Sequence, residues 1–385
     1  MLEKAFKGDQ RYWRWVLSLL AVMGVGFACW GLQLNRGLTI TGLSRDVSWG
    51  LYIAQFTFLV GVAASAVMVV LPYYLHNVKA FGKITIIGEF LAVAAVTMCM
   101  LFIVVDLGKP MRMLNVLLYP SPTSILFWDM IALNGYLFLN IIIGWNVLEA
   151  ESNDVAPPQW IKPLIYLSIP WAVSIHTVTA FLYAGLPGRH FWLTAILAAR
   201  FLASAFCSGP ALLIMLCYLL KKLTRFDAGK EAIQKLSVIM TYAMIISVFF
   251  VGLEIFTAFY SQIPGHMAAI KYLFVGLEGH AKLVPFMWLF AVLSVFALVI
   301  LINPKTREND KTLLMGCAAV FFAMWLEKGL GLVVAGFIPN MFEVVREYIP
   351  TPPEILIVLA VWATGTFLLT LLYKIAVTVK EEKMG

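Results

Sequence analysis

Charge is what this chain of 385 residues most conspicuously lacks. Asp, Glu, Lys and Arg make up 13% of it and hydrophobic residues 62%, whereas soluble domains run near a quarter charged. A soluble domain of this length has no use for so much apolar surface, and that class is excluded. Cysteine is scarce as well: Cys29, Cys99, Cys207, Cys217 and Cys317, with no C-x-x-C pair. That excludes a C-x-x-C-H haem attachment and a cysteine-ligated iron–sulfur cluster in this chain. The five read as small apolar packing residues. Of five histidines, only His176 lies deep in an apolar segment. His76 sits at a segment end, and His190, His266 and His280 sit in or beside loops, so no facing pair is expected to hold haem b and no metal site is expected. No polar stretch is long enough to fold alone, the longest connection being 106–123. Any soluble chemistry therefore belongs to partner proteins.

What the chain does have is ten long apolar segments, near 12–34, 49–75, 84–105, 124–148, 161–185, 191–220, 236–262, 281–302, 311–336 and 355–379. Each is about long enough to cross a bilayer, since roughly 20 residues at 1.5 Å rise span the hydrocarbon core. Lipid leaves no partner for an open backbone, so the segments are helices. The expected fold is an all-α polytopic membrane protein forming one integral domain over 1–385. The first segment follows Lys4, Lys7, Arg11 and Arg14 as in a signal peptide. It is long, carries Trp13, Trp15 and Trp30 and has no Ala-x-Ala site, and so reads as a retained helix. Outside the segments, 18 Lys and Arg fall on the side of the termini and 8 on the other. That bias places both termini in the cytoplasm and the protein in the cytoplasmic (inner) membrane. The net charge of +7 then reflects this bias and attraction to anionic lipid, not nucleic acid.

A faint repeat runs through the chain. At a shift of 143 residues, Trp49, Phe58, Leu59 and Ser65 meet Trp192, Phe201, Leu202 and Ser208, and Gly61 meets Ser204. A tandem duplication of four helices, near 45–185 and 189–336, would produce this pattern, giving two four-helix bundles plus extra helices. Small residues at 61 and 64–66 allow close helix approach in either case.

Ionisable residues inside a membrane cost a few kcal/mol each and usually face the protein interior. Here they are Glu89, Asp129, His176, Arg200, Glu254, Glu327 and Lys328. Threading each segment between its ends puts Asp129, His176, Arg200, Glu254 and Gln55 in the outer half, Glu327 and Lys328 nearer the middle, and Glu89 in the inner half. Helical spacing groups His176, Thr179 and Tyr183 on one face, Asp129, Tyr136 and Asn140 on another, and Glu254, Thr257 and Ser261 on a third. Such stripes can line a cavity for a carbonyl headgroup with an apolar tail, with His176 and a carboxylate exchanging its protons. Plainer roles stand beside these: Arg200 paired with Glu254 or Asp129, and His176 as an interhelical donor. Trp49, Trp160, Trp192 and Tyr348 are expected in the interfacial belt.

Three further stretches carry a resemblance. They are Arg45-Asp46-Val47-Ser48-Trp49-Gly50 leading into LYIAQFTFLVGVAASA; Asp106-Leu107-Gly108-Lys109-Pro110-Met111-Arg112 followed by Pro120-Ser121-Pro122-Thr123-Ser124; and SIHTVTAF with Gly185-Leu186-Pro187-Gly188-Arg189. In order and spacing the series resembles the NrfD/polysulfide-reductase integral membrane subunits, and the ten-span length resembles their DsrP/HmcC branch. The resemblance implies electron exchange with a quinone, menaquinone in this branch, near the outer face, with no haem or cluster in the chain. It also implies a docked extracytoplasmic ferredoxin-like iron–sulfur subunit, a multihaem cytochrome c with further membrane and cytoplasmic subunits, and a role in sulfur metabolism. On this reading His176, Asp129 and Glu254 are the catalytic candidates. Gln55, Asp106, His176, Thr179, Tyr183 and Arg200 would bind quinone, Glu89 and Glu327 would extend a proton path, and Arg45, Lys109, Arg112 and Arg189 would meet the docked subunit or lipid phosphates. A secondary transporter and a non-catalytic anchor are the competing functions. Against the transporter, no corresponding pair of Gly/Pro-broken helices stands out.

Overall fold

The computed structural model describes residues 1–382; Lys383, counted above with the C-terminal charges, lies outside them. The described residues form ten helices long and apolar enough to cross a membrane. They are α1 Gln10–Arg36, α2 Leu51–Tyr74, α3 Thr85–Asp106, α4 Ile125–Ser152, α5 Ile161–Ala184, α6 Leu197–Leu223, α7 Lys230–Tyr260, α8 Val284–Ile302, α9 Asp310–Ala335 and α10 Pro352–Glu382. All ten expected segments are present, and α7 begins six residues earlier than hydropathy alone suggested. Polar starts account for such ends: Asp9 accepts from the Tyr12 amide (2.8 Å) ahead of α1, and Asn309 accepts from Lys311 (3.0 Å) ahead of α9, each satisfying a free first-turn N–H.

Neighbour contacts fall into two groups. In the first, α2 packs on α3, α3 on α4 and α4 on α5; in the second, α6 packs on α7 and α9, and α8 on α9. Helices α1 and α10 pair with each other, and α10 lies against α3. Helix α2, buried throughout residues 51–70, is the hub, touching α3, α6 and α9. Its small residues make this possible: a Cβ on Gly61 would lie 2.9 Å from Ser208 Oγ, and one on Gly209 would lie 2.8 Å from the Ser65 amide. The two stretches aligned by the faint repeat thus cross one another at the centre.

Two helices are interrupted where none was expected. In α2 a turn at 64–66 separates Leu51–Ala63 from Val67–Tyr74, and Ser65 Oγ donates to the Gly88 carbonyl (3.2 Å) across the gap. In α9, Trp325–Gly331 is a π-helix, a geometry frequent at functional sites. The two interruptions are not at repeat-related positions, since α2 would correspond to α6.

The termini lie at one end, here called proximal; the loops 37–50, 107–124, 185–196, 261–283 and 336–351 lie at the distal end. Three belt expectations fail there. Trp192 is fully buried and donates from Nε1 to the Leu332 carbonyl (2.9 Å). Trp49 stacks on it at 5.5 Å. The buried Tyr348 hydroxyl accepts from the Leu51 amide (2.8 Å) and bonds Glu354. An indole or phenol with a partner inside the protein gains more there than at a lipid headgroup. Trp160 is exposed, as expected.

Candidate functional site

Helices α4 and α5 bring the first predicted stripe together. Thr179 Oγ1 donates to Asp129 Oδ1 (2.7 Å) with both residues buried. One helical turn further along α5, the Tyr183 hydroxyl bonds Thr57 of α2, and its ring packs on Trp49, Trp192 and Phe201. From the Asp129 stripe, Tyr136 donates to the Ala63 carbonyl (3.3 Å) at the break in α2, while Asn140 donates to its own helix at Tyr136 O (2.8 Å). His176 is fully buried. Neither of its ring nitrogens has a hydrogen-bond partner among the described residues, whereas buried polar groups in folded proteins are normally bonded to protein, water or ligand.

The second cluster lies between α6, α7 and α9. Arg200 forks between Glu254 and Glu327, one nitrogen to each. Planar guanidinium donors suit such double pairing. Of the two partners foreseen for Arg200, Glu254 is right and Asp129 is not. Lys328 turns elsewhere, donating to the Phe201 carbonyl (3.3 Å) with its ammonium 4.3 Å from the Phe201 ring centre. Within the π segment Trp325 bonds Gln55 of α2, while Glu327 and Lys328 both reach α6, one at Arg200 and the other at Phe201. The four charges sum to zero. Beside Arg200, Glu254 and Glu327 lies a cavity of about 20 Å³, room for one water but not for a quinone ring. The geometry makes these residues an ion-pair core rather than a headgroup pocket. Thr257 and Ser261 are exposed and do not join them.

Gln55 faces a third direction. Its Oε1 accepts from Trp325 Nε1 and Trp362 Nε1, each at 3.0 Å, and it lines a cavity of about 790 Å³ among α2, α8, α9 and α10. Trp325, Trp362 and Tyr348 also line it and were missed from sequence, where a tryptophan inside an apolar run reads as packing. His176, Asp129, Thr179 and Tyr183 are not among its walls.

Asp106 ends α3, where one carboxylate oxygen is buried without a partner among the described residues. Beside it, Gln33 donates to the Val105 carbonyl (2.6 Å) and accepts from Tyr52 (2.8 Å). Glu89 lies toward the proximal end of α3. One of its oxygens is buried and unpartnered among the described residues, close to Gly144 of α4. It shares no contact with Glu327, so the two ends of the expected proton path are not joined by side chains. Arg45, Lys109 and Arg112 are exposed at the distal end. Arg189 is half-buried over the Phe337 ring (4.3 Å); burial lowers its pKa from the ordinary value, with Asp46 opposing.

With this arrangement in view, relatives supply an independent bearing. The chain is 25% identical over 311 residues to the Hdr-like menaquinol oxidoreductase integral membrane subunit of Archaeoglobus fulgidus, covering 79% of this chain and 74% of that one. It is 26% identical over 347 residues to a putative dimethyl sulfoxide reductase membrane subunit of Halobacterium salinarum, covering 85% and 77%. A polysulfide reductase chain of Wolinella succinogenes is 24% identical over 225 residues, covering 54% and 71%. The profile of the family described as polysulphide reductase, NrfD, matches residues 39–338. That match takes in α2 through α9, with His176, Asp129 and the Arg200 cluster, and the chain belongs to the NrfD polysulphide reductase family.

Proposed function

We propose that this chain is the quinone-reactive membrane subunit of a respiratory redox complex, exchanging electrons between menaquinol and an iron–sulfur subunit docked at the distal face. The ten-helix layout favours the DsrP/HmcC-like branch and a role in sulfur metabolism. Menaquinone is favoured by the Archaeoglobus relative, whose own name is menaquinol oxidoreductase. The distal face is the outer one on the Lys/Arg bias, which puts Arg45, Lys109 and Arg112 where a docked subunit's acidic groups would meet them.

The observation that carries this reading is His176. It is a buried imidazole with both nitrogens unpartnered among the described residues, one turn from the Thr179–Asp129 hydrogen bond. Oxidation of a hydroquinone releases two electrons and two protons. An imidazole can accept a proton from a hydroxyl oxygen and return it to a carbonyl. Asp129, held by Thr179, would take the proton onward, and Tyr183 with Thr57 would close the distal side. The two electrons pass to the docked iron–sulfur subunit. The Arg200 cluster ties α6, α7 and α9 together within the second bundle.

The test is quinol turnover by the complex, together with titration of a fluorescent quinol analogue, for native protein and His176→Ala. General acid–base groups contribute about 10²–10⁴-fold to a rate, so turnover should fall at least a hundredfold and analogue binding should weaken. Unchanged affinity and unchanged turnover in His176→Ala would remove the residue from this role.

A further inference from the structure

We infer that the 790 Å³ cavity among α2, α8, α9 and α10 is a second, lipid-facing binding site for a quinone, separate from the His176 cluster. The inference rests on the reading that the protein handles quinone, and it adds where a molecule is held before or after reaction.

The starting point is the Gln55 side chain, 2% exposed. An indole N–H can only donate. Trp325 and Trp362 both point theirs at Gln55, so chemistry, and not a choice of amide orientation, fixes the oxygen toward them. The –NH₂ group must then face away, and among the described residues no hydrogen bond from it is made. An amide holding two free N–H bonds in an apolar wall is an unmet demand for an acceptor. Gln55 lies one turn from Leu51 on α2, and both line the cavity, so the amide is a polar group of a wall that is otherwise almost wholly apolar.

The rest of the wall says what the acceptor is attached to. It is apolar, and its floor is aromatic, with Trp325, Trp362, Phe286 and Phe321, surfaces that stack on a flat ring. Leu359 of α10 lines the cavity while being half exposed on the outside of the bundle, so the cavity opens to lipid beside α10. Its volume is in the range of ligand sites, roughly 300–1,000 Å³. One cation, Lys282, stands among the lining residues. It is already held by Glu347, with Nζ–Oε2 at 3.4 Å. A phosphate at this rim would compete with the Glu347 carboxylate for one half-exposed ammonium, and no other lining residue is cationic. A neutral ring carbonyl with an isoprenoid tail matches each feature: one acceptor for Gln55, a ring for the indoles, and a tail toward the lipid.

The experiment uses the full chain in lipid nanodiscs and a naphthoquinone carrying a photoreactive group and an isoprenoid tail, with labelled peptides mapped by mass spectrometry. Labelling is expected on α9 and α10, saturable and competed by menaquinone but not by phosphatidylglycerol. Gln55→Glu keeps an acceptor for both indoles and removes the amide donors; it should weaken that labelling roughly three- to tenfold, the value of one hydrogen bond. Leu359→Trp, which fills the cavity from its lipid side, should abolish it, and His176→Ala should leave it unchanged. Label confined to α4 and α5 would overturn the second site and keep the first. Label on α9 and α10 that phosphatidylglycerol displaces would make the cavity a lipid site and overturn the inference. Label nowhere would overturn both readings.

Discussion

Removing Arg200 tests how the second bundle is held. Its guanidinium is the shared counter-ion of Glu254 and Glu327, and all three side chains are more than nine-tenths buried. Two carboxylates, one Arg and Lys328 leave no net charge. Arg200→Met keeps most of the volume but strands two carboxylates against one ammonium that is turned toward Phe201. Breaking a buried pair in this way costs about 3–5 kcal/mol, and at about 2–3 °C per kcal/mol for a chain of this size the melting temperature should fall by roughly 6–15 °C. Four of the five free cysteines are buried, so a thiol-reactive fluorophore reports the transition directly. The triple variant Arg200→Met, Glu254→Gln, Glu327→Gln removes the stranded charges along with their partner. It should recover most of the loss, because neutral replacement of a whole buried ion cluster is often close to neutral. A triple variant as unstable as Arg200→Met would refute the electrostatic account and leave packing as the reason for these residues. No loss in the single variant would refute the ion-pair core itself.

Two further outcomes follow from the distal loops and the α5–α6 connection. The Glu347 side chain is only 8% exposed. Burial raises its pKa, but the Lys282 amide (2.9 Å), His280 and the Lys282 ammonium outweigh this and hold it below the ordinary carboxylate value. A depressed carboxylate stabilises the fold above its unfolded pKa of about 4.3 and loses that contribution as pH falls through the folded value. Protection against hydrogen exchange in 277–283 and 344–348, taken relative to the intrinsic rate at each pH, should therefore hold above about pH 5 and fall below about pH 4; Glu347→Gln should show the reduced protection already at neutral pH, and a flat profile in the native protein would count against the latch. At Gly336, a Cβ would stand 2.0 Å from the Trp192 ring, so Gly336→Ala should destabilise by about 1–3 kcal/mol. Adding Trp192→Leu should restore part of it in the same thiol-reactive melt; equal melting temperatures for native protein and Gly336→Ala would show the two segments free to move apart.

Some of this was legible in the residues themselves. Ten apolar runs can only be helices, since lipid offers backbone groups no partner, and their number followed from hydropathy, with ends displaced by up to six residues. The i, i+3, i+7 spacing that put His176, Thr179 and Tyr183 on one face also followed, because helical periodicity is a local property. Local rules stop at the question of which faces meet. Gln55 and Tyr183 both looked like lining for one outer cavity, yet α2 presents Gln55 to α9 and α10 and Thr57 to Tyr183, placing them in different sites. Nor does the stretch Trp325–Gly331 show in its letters that it runs as a π-helix; from that segment Glu327 pairs with Arg200 and Gly329 packs close to the Ala54 carbonyl. Trp192 and Tyr348 read as belt residues because an aromatic near a helix end has that average fate, and the folded chain alone supplied Leu332 O and Glu354 as partners. Composition and helical period were enough to establish a bundle of ten membrane helices with polar groups held inside. Which of those groups neutralise one another, which keep an empty hydrogen bond, and where the lipid-facing cavity opens were settled in folding, because those depend on helix rotations that no local pattern encodes.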